Sequence, residues 1–295
     1  MAISNDFQFE FVNSRGDSIL MGALTDYDIV DVRGFGMPPV RANDIPRLDT
    51  NGAITSRKEL LQGRTVNIQC VVQGNPGDDL DAKLTSLFKA CQASDTAGTL
   101  SFQWPVGYGA TTTAEDTRFL TAYVRRVTKQ LIASNAAGRV PCYIQFECPN
   151  PLVYRTTQNS ETITLSAFTG GLEFPDTFPA TFGTGSSLAT TVNNAGNFDA
   201  YPTVRFQGPV TAPKITNNTS SEHIELAGLT IGSGSYCEVN FYERSILVDG
   251  TTSVYNKLTS ASSWFTIAPG VSSVTYSASS SSPVTCFFKW YDTWI

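Results

Sequence analysis

NNAGNFDAYPTVRFQGPVTAPKITN, residues 193–217, is the stretch on which the class of the chain turns. Asn194-Ala195-Gly196-Asn197 is a turn signal, and Tyr201-Pro202 fixes a strand entry. Proline locks its own φ and pushes the preceding residue into an extended conformation. Thr203 to Gln207 then alternates, with Val204 and Phe206 on one face and Thr203, Arg205 and Gln207 on the other. Gly208-Pro209 ends the run, and Ala212-Pro213-Lys214-Ile215 opens the next strand. Nothing in the stretch carries catalytic chemistry.

The same punctuation extends outward. From residue 152, LVYRTTQNSETITLS reads as strand–turn–strand, and Gly170–Gly183 is an irregular ribbon of aromatics and prolines. Glycine or glycine-proline then recurs roughly every eight to twelve residues, with no helical period, which predicts a β-sandwich. Pro149-Asn150-Pro151 stops the preceding strand and stiffens the exit. Two domains are therefore expected, 1–150 and 151–295.

Residues 1–150 read differently. In FQFEFV, Phe7, Phe9 and Phe11 share one face. Ser14-Arg15-Gly16-Asp17 is a polar hairpin turn rather than an adhesion motif. Gly34, Gly36, Pro38 and Pro39 interrupt any regular element, so the segment around 34–47 is expected to be a loop bending between strands. Thr65–Val72 alternates Val66, Ile68, Cys70 and Val72 against mostly polar neighbours. One helix is expected over 78–93, where Leu80, Leu84, Leu87, Phe88 and Cys91 form an apolar stripe. Asp78, Asp79 and Asp81 occupy its first turn, where the helix dipole favours them. Strands follow at Thr99–Pro105, Arg118–Thr128 and Val140–Cys148.

Composition narrows the function. Of the 295 residues 41% are apolar but only 16% charged, against about a quarter in ordinary domains. Ser, Thr, Asn, Gln and Gly take the place of the missing charge. A formal net charge of −6 without basic clusters argues against nucleic-acid binding and against an anionic membrane surface. No apolar run approaches the roughly 18 residues of a membrane span, and the polar, alternating N-terminus lacks a secretory signal. The six cysteines are dispersed without a CxxC pair and are expected to be buried free thiols.

Catalytic readings find little support. His223 is the one histidine, and no nucleophile elbow stands in a strand-to-helix setting. It has no second histidine or clustered thiols with which to hold zinc. Gly34-x-Gly36 lacks the third glycine, the helix and the lysine of a phosphate loop. Carboxylates are plentiful, but nothing pairs them across a cleft as glycoside hydrolysis requires. No enzyme, cofactor or metal is expected.

The pattern N-x-G-x(4)-YP-x-V-R-F-x-G-P over 194–209, followed by Ser262-Ser263-Trp264-Phe265 and Pro269-Gly270, resembles the distal tail proteins of long, flexible-tailed phages. Gly34–Pro39 with the Gly63-Arg64-Thr65 strand entry, Gly170-Gly171-Leu172 and Phe174-Pro175 extend the likeness over nearly the whole chain. One departure is Asn240, where the family often carries an aspartate opening the stretch that runs here to Gly250.

The resemblance implies a mainly β structural virion protein. Its first domain would be a tail-tube-like split β-barrel with one α-helix, and its second a galectin- or carbohydrate-module-like β-sandwich. Its partners would be five further copies in a homohexamer, the tail tube protein, and the tail-tip hub, with the tape measure or receptor-binding proteins as additional candidates. It would be made in the host cytoplasm and reside at the tail tip of the virion. A lectin-like carbohydrate-binding protein is the alternative reading. Arg33, Phe35, Met37, Arg41 and Arg47 are the candidate assembly interface, because arginines beside large apolar residues suit interface cores. Trp264 is expected in the core rather than as a sugar platform.

Overall fold

In the computed structural model the chain is mainly β, in two compact units, Met1–Thr156 with Ile295 and Thr157–Trp294. The structure describes residues 3, 7–41, 45–47, 49–51, 53–54, 60–103, 117–130, 137–165, 187–279 and 283–295. The aromatic-proline ribbon at 170–183 and the end of the 99–105 strand lie outside these residues.

The first unit begins with the hairpin β1 (Gln8–Val12) and β2 (Ser18–Gly22). Then come β3 (Tyr27–Arg33), the short strands β4 (Val40–Arg41), β5 (Ile45–Pro46), β6 (Ala53–Ile54) and β7 (Leu60–Leu61), and β8 (Arg64–Gln73). The helix α1 (Asp78–Ala90) leads to β9 (Gly98–Gln103), β10 (Thr117–Lys129), β11 (Arg139–Cys148) and β12 (Val153–Arg155). Hydrogen-bonded neighbours run β2-β1-β9-β10-β11-β8-β3, all antiparallel.

β10 belongs to both halves of this barrel. Thr117–Ala122 pairs with β9, Tyr123–Lys129 pairs with β11, and the register slips between Val124 and Arg126. Such a bulge bends a strand and lets one strand serve two sheets. Phe9, Phe11, Leu100, Phe102 and Leu120 from one half and Val66, Ile68, Cys70, Ile144 and Phe146 from the other are buried.

Phe7 does not join Phe9 and Phe11. It leaves the strand with φ 67° and is 48% exposed, and the buried neighbour is Gln8, whose Nε2 donates to the Ala23 carbonyl at 2.7 Å. The helix stops at Ala90, earlier than the apolar stripe suggested. It buries Leu80, Leu87 and Ala90, with Cys91 just beyond it; Leu84 is half-buried. Phe88 is exposed, with the Lys129 ammonium 6.0 Å from its ring centre. Val153–Arg155 pairs with β10 (Arg118↔Arg155), so the division falls after Thr156, somewhat beyond the Pro149-Asn150-Pro151 punctuation.

The second unit contains β13 (Asn159–Leu165), β14 (Ser187–Asn194), β15 (Thr203–Gln207), β16 (Val210–Thr211), β17 (Lys214–Asn217), β18 (Glu222–Glu225) and β19 (Thr230–Ile231). It continues with β20 (Tyr236–Asn240), β21 (Ser245–Val248), β22 (Thr252–Ser253), a single 3-10 turn at Tyr255–Lys257, β23 (Gly270–Ser277), β24 (Val284–Trp290) and β25 (Thr293–Trp294). One sheet runs β13-β24-β15-β20-β21-β22 and the other β14-β23-β17-β18. Alternate residues point inward from each, among them Val204, Phe206, Val239, Cys286 and Phe288 from the first and Ile215, Ile224, Val274 and Tyr276 from the second. This is the two-layer sandwich that the glycine-proline spacing predicts.

The 193–217 stretch is the keystone of this unit. Asn194 is buried, and its amide donates to the carbonyls of Phe198 (2.8 Å) and Ile267 (3.1 Å) while its Oδ1 accepts from Gly196 N (3.1 Å) and Thr293 N (3.3 Å). Asp292, also buried, accepts from Ala195 N at 2.9 Å and from the Asn159 amide at 3.0 Å.

Candidate assembly interface

The segment expected to be an irregular loop is more regular than its glycines and prolines suggested. Gln62 N donates to Pro39 O at 2.8 Å, and Val40↔Leu61 and Arg41↔Leu60 pair next. Further out, Ile45↔Ile54 and Pro46↔Ala53 pair. Among the described residues, 39–41 with 60–62 and 45–46 with 53–54 thus pair antiparallel, as the two sides of an arm.

The five candidate residues separate into an anchor and an exposed set. Phe35 packs with ring centres 5.7 Å from Phe9 and 4.7 Å from Phe102, and Pro38 beside it is buried. Phe35 therefore ties the base of the arm to the barrel core. Met37 is 71% exposed, and Arg41 and Arg47 are exposed on the arm. Arg33 closes β3 and holds Asp31 through an Nε–Oδ2 contact of 2.6 Å at the surface. Ile45 and Leu60 add further exposed apolar side chains to the arm, a signal lost in the sequence because neither stands in an alternating run.

Two open clefts lie on the outer side of the β3-β8-β11 face. One, of about 620 Å³, is polar: Asn67, Gln69, Thr128, Gln130 and Gln145 surround Arg126 and the Asp31–Arg33 pair. The other, of about 680 Å³, is mixed: Phe7, Ala23, Ile29, Val30, Val71 and Pro141 line it together with Asp28, Gln73 and Arg139.

In the second unit, Arg205 stacks over Tyr236, with Cζ 3.9 Å from the ring centre, and meets Glu238 at 3.1 Å across the outer face of the six-stranded sheet. Trp264 is half-buried. It meets Phe241 edge-on at 5.4 Å and stacks on Tyr255 at 6.2 Å, packed against the core while Phe265 and Ile267 enter it. His223 Nε2 lies 3.9 Å from a Glu225 carboxylate oxygen. Among the described residues no three His, Cys, Asp or Glu side chains are grouped as a metal ion would require, and no helix is long and apolar enough to cross a membrane. All six cysteines are free and buried, as expected.

The fold recurs over nearly the whole length of the chain in a solved phage protein structure. Residues 195–294 match the family described as siphovirus-type tail component, C-terminal domain. Among solved structures the chain is similar to the Dit protein of phage SPP1, described as a paradigm of the hub adsorption apparatus in phages infecting Gram-positive hosts. The two share 17% identity and a TM-score of 0.62, over 97% of this chain and 99% of that one. At that identity the likeness is one of fold. A chain of the phage p2 baseplate in its activated conformation aligns at 9% identity and TM-score 0.46, over 96% and 97% of the two chains. No curated protein sequence matches.

Proposed function

We propose that the chain is a structural subunit of a phage tail tip, six copies of which close a ring that joins the tail tube to the hub and host-recognition apparatus. The observation that carries this reading is a fold shared over nearly the full length with a phage hub protein, together with the family match at 195–294. The composition agrees. A surface poor in charge and rich in hydroxyls and amides is suited to mating with neighbours, and identical subunits close rings through heterologous contacts.

In this reading the arm at 39–62 is an assembly element. Met37, Arg41 and Arg47 would meet a neighbouring copy or the tube, Arg33 would flank them, and Phe35 would fix the arm's base. Native mass measurement and negative-stain imaging of the full chain, alone and with the tail tube protein added, test the proposal. Six-copy rings are expected in at least the second arm of the experiment. A monomer at high concentration in both would refute the ring.

A further inference from the structure

The 620 Å³ cleft on the outer side of the β3-β8-β11 face is laid out as a grid. Across β3, β8, β11 and β10 the register sets Arg33, Asn67, Gln145 and Arg126 in one row. The next row, two residues along each strand, is Asp31, Gln69, Tyr143 and Thr128. Alternate residues of a strand share a face, so both rows look outward while Val66, Ile68, Ile144 and Phe146 fill the core. Adjacent strands lie about 4.8 Å apart, so each row spans roughly 14 Å.

The lining is not that of an ordinary solvated sheet face. It gathers three of the chain's ten glutamines and an asparagine, with no lysine or glutamate among them. The side chains of Asn67, Gln69, Gln145, Tyr143, Thr128 and Arg126 have no hydrogen-bond or ion-pair partner among the described residues. Asp31 and Arg33 satisfy each other at 2.6 Å, which leaves Arg126 as the uncompensated charge of the lining. The Tyr143 ring, 38% exposed, is its one large carbon surface, since Ile144 is buried. The volume lies within the range of about 300–1,000 Å³ found for small-molecule sites. All four strands are locked in one ladder, so the polar groups are placed before a ligand arrives.

A primary amide both donates and accepts, as a sugar hydroxyl does, so neighbouring amides match vicinal hydroxyls and leave neither side unsatisfied. An apolar ligand would bury little here and would strip the amides of water. A nucleic acid needs several cations along its phosphates, and the cleft offers one that is unpaired. An extended peptide docks by adding a strand at a sheet edge, whereas these groups stand across the face of four strands. We infer that the cleft binds a short acidic glycan, one carboxylate or phosphate in a run of neutral hydroxyls. Arg126 takes the charge, Asn67, Gln69 and Gln145 take the hydroxyls, and a sugar ring lies on Tyr143. The site belongs to the barrel unit rather than to the sandwich, and it does not depend on the ring proposal.

Saturation-transfer NMR on the full chain reads the small molecule and so tolerates a large assembly. The probes are a hyaluronan tetrasaccharide, maltotetraose 6-phosphate, neutral maltotetraose and a hexa-aspartate peptide. At least one of the two acidic sugars is expected to bind roughly tenfold or more tightly than maltotetraose, and which one does so tells carboxylate from phosphate. Arg126→Gln is expected to abolish that preference, and Gln145→Ala to weaken the acidic sugar by a similar factor. Both variants should keep the parent's melting temperature, because neither side chain is paired within the described protein. No transfer to either acidic sugar, equal binding of maltotetraose, or binding that either substitution leaves unchanged would overturn the assignment. Hexa-aspartate bound as tightly as the sugars would do the same, since charge alone would then be read.

Discussion

Gly196 packs against the backbone of Thr293 so closely that a Cβ at position 196 would come within 1.8 Å of the Thr293 carbonyl oxygen. That oxygen accepts from Phe198 N at 3.1 Å, and Asn194 bonds both backbones, so neither strand can retreat. Gly196→Ala is therefore expected to cost about 2 kcal/mol or more, the range of overpacking in a rigid site. Gly232→Ala is the control: nothing lies within 4 Å of its added Cβ, and a change under about 0.5 kcal/mol is expected. Equal melting curves for the two variants would contradict the clasp.

Phe35 and Met37, two residues apart, should behave oppositely. Phe35→Ser removes a ring packed against Phe9 and Phe102 and should cost roughly 2–4 kcal/mol of stability in the first unit. Met37→Ser touches an exposed side chain and should leave the melting temperature in place while weakening assembly. Calorimetry beside native mass measurement separates the two. An unchanged melting curve for Phe35→Ser would show that the arm is not anchored there.

Tyr276 offers a gain. It is fully buried and stacked on Phe206 at 5.6 Å, and its hydroxyl has no hydrogen-bond partner among the described residues. An unpartnered buried hydroxyl carries a desolvation cost that phenylalanine does not. Tyr276→Phe is expected to stabilise the sandwich by about 1 kcal/mol in urea unfolding. A loss of that size instead would mean the hydroxyl is satisfied.

The thiols give the protein an alkaline limit. Burial pushes Cys142 up to about 11 and Cys91, Cys148 and Cys237 up to about 12, with smaller charge effects beside it. The folded state thus holds these protons more tightly than the unfolded chain, whose thiols ionise near 9. Their contribution to stability is complete below about pH 9 and is lost as pH rises through 11 to 12. A disulfide-exchange dye at about pH 8, below the ordinary thiol range, should find almost no reactive thiol until denaturant is added. Rapid labelling of the native protein would show that a cysteine is accessible.

Alternation and punctuation made most of the architecture legible. Val66, Ile68, Cys70 and Val72 alternate and are buried, and Tyr201-Pro202 opens a strand where proline geometry requires one. What the sequence concealed has local causes. Phe7 continues the alternation of Phe9 and Phe11 but leaves the strand because the Gln8 amide is bound to Ala23, a long-range bond that no periodicity reports. Phe88 fits the helical stripe, yet the helix packs on a narrower face centred on Leu80 and Leu87. Trp264, expected in the core, is half-buried at its edge, leaning on Phe241 and Tyr255, because the buried register belongs to Phe265 and Ile267. The arm carried its candidate residues plainly, but Phe35 could not be told from Met37. Spacing does not reveal which side chain turns back to Phe102.

The pairing of β13 with β24 sets an order on the birth of the subunit. Asn159 pairs with Trp290 and Leu165 with Val284, so the earliest strand of the sandwich leaves the ribosome long before its partner exists. Until Val284–Trp290 emerges, Ile163 and Leu165 have no cover from that side. Contacts of such sequence separation close slowly. A chain cut short at Pro283 would lose β24, the strand between β13 and β15, and with it the Asp292 and Thr293 clasp. The fold is thus a built-in test of completeness: only a chain translated through Thr293 can close both the β13–β24 pairing and the Asn194 clasp of its second core.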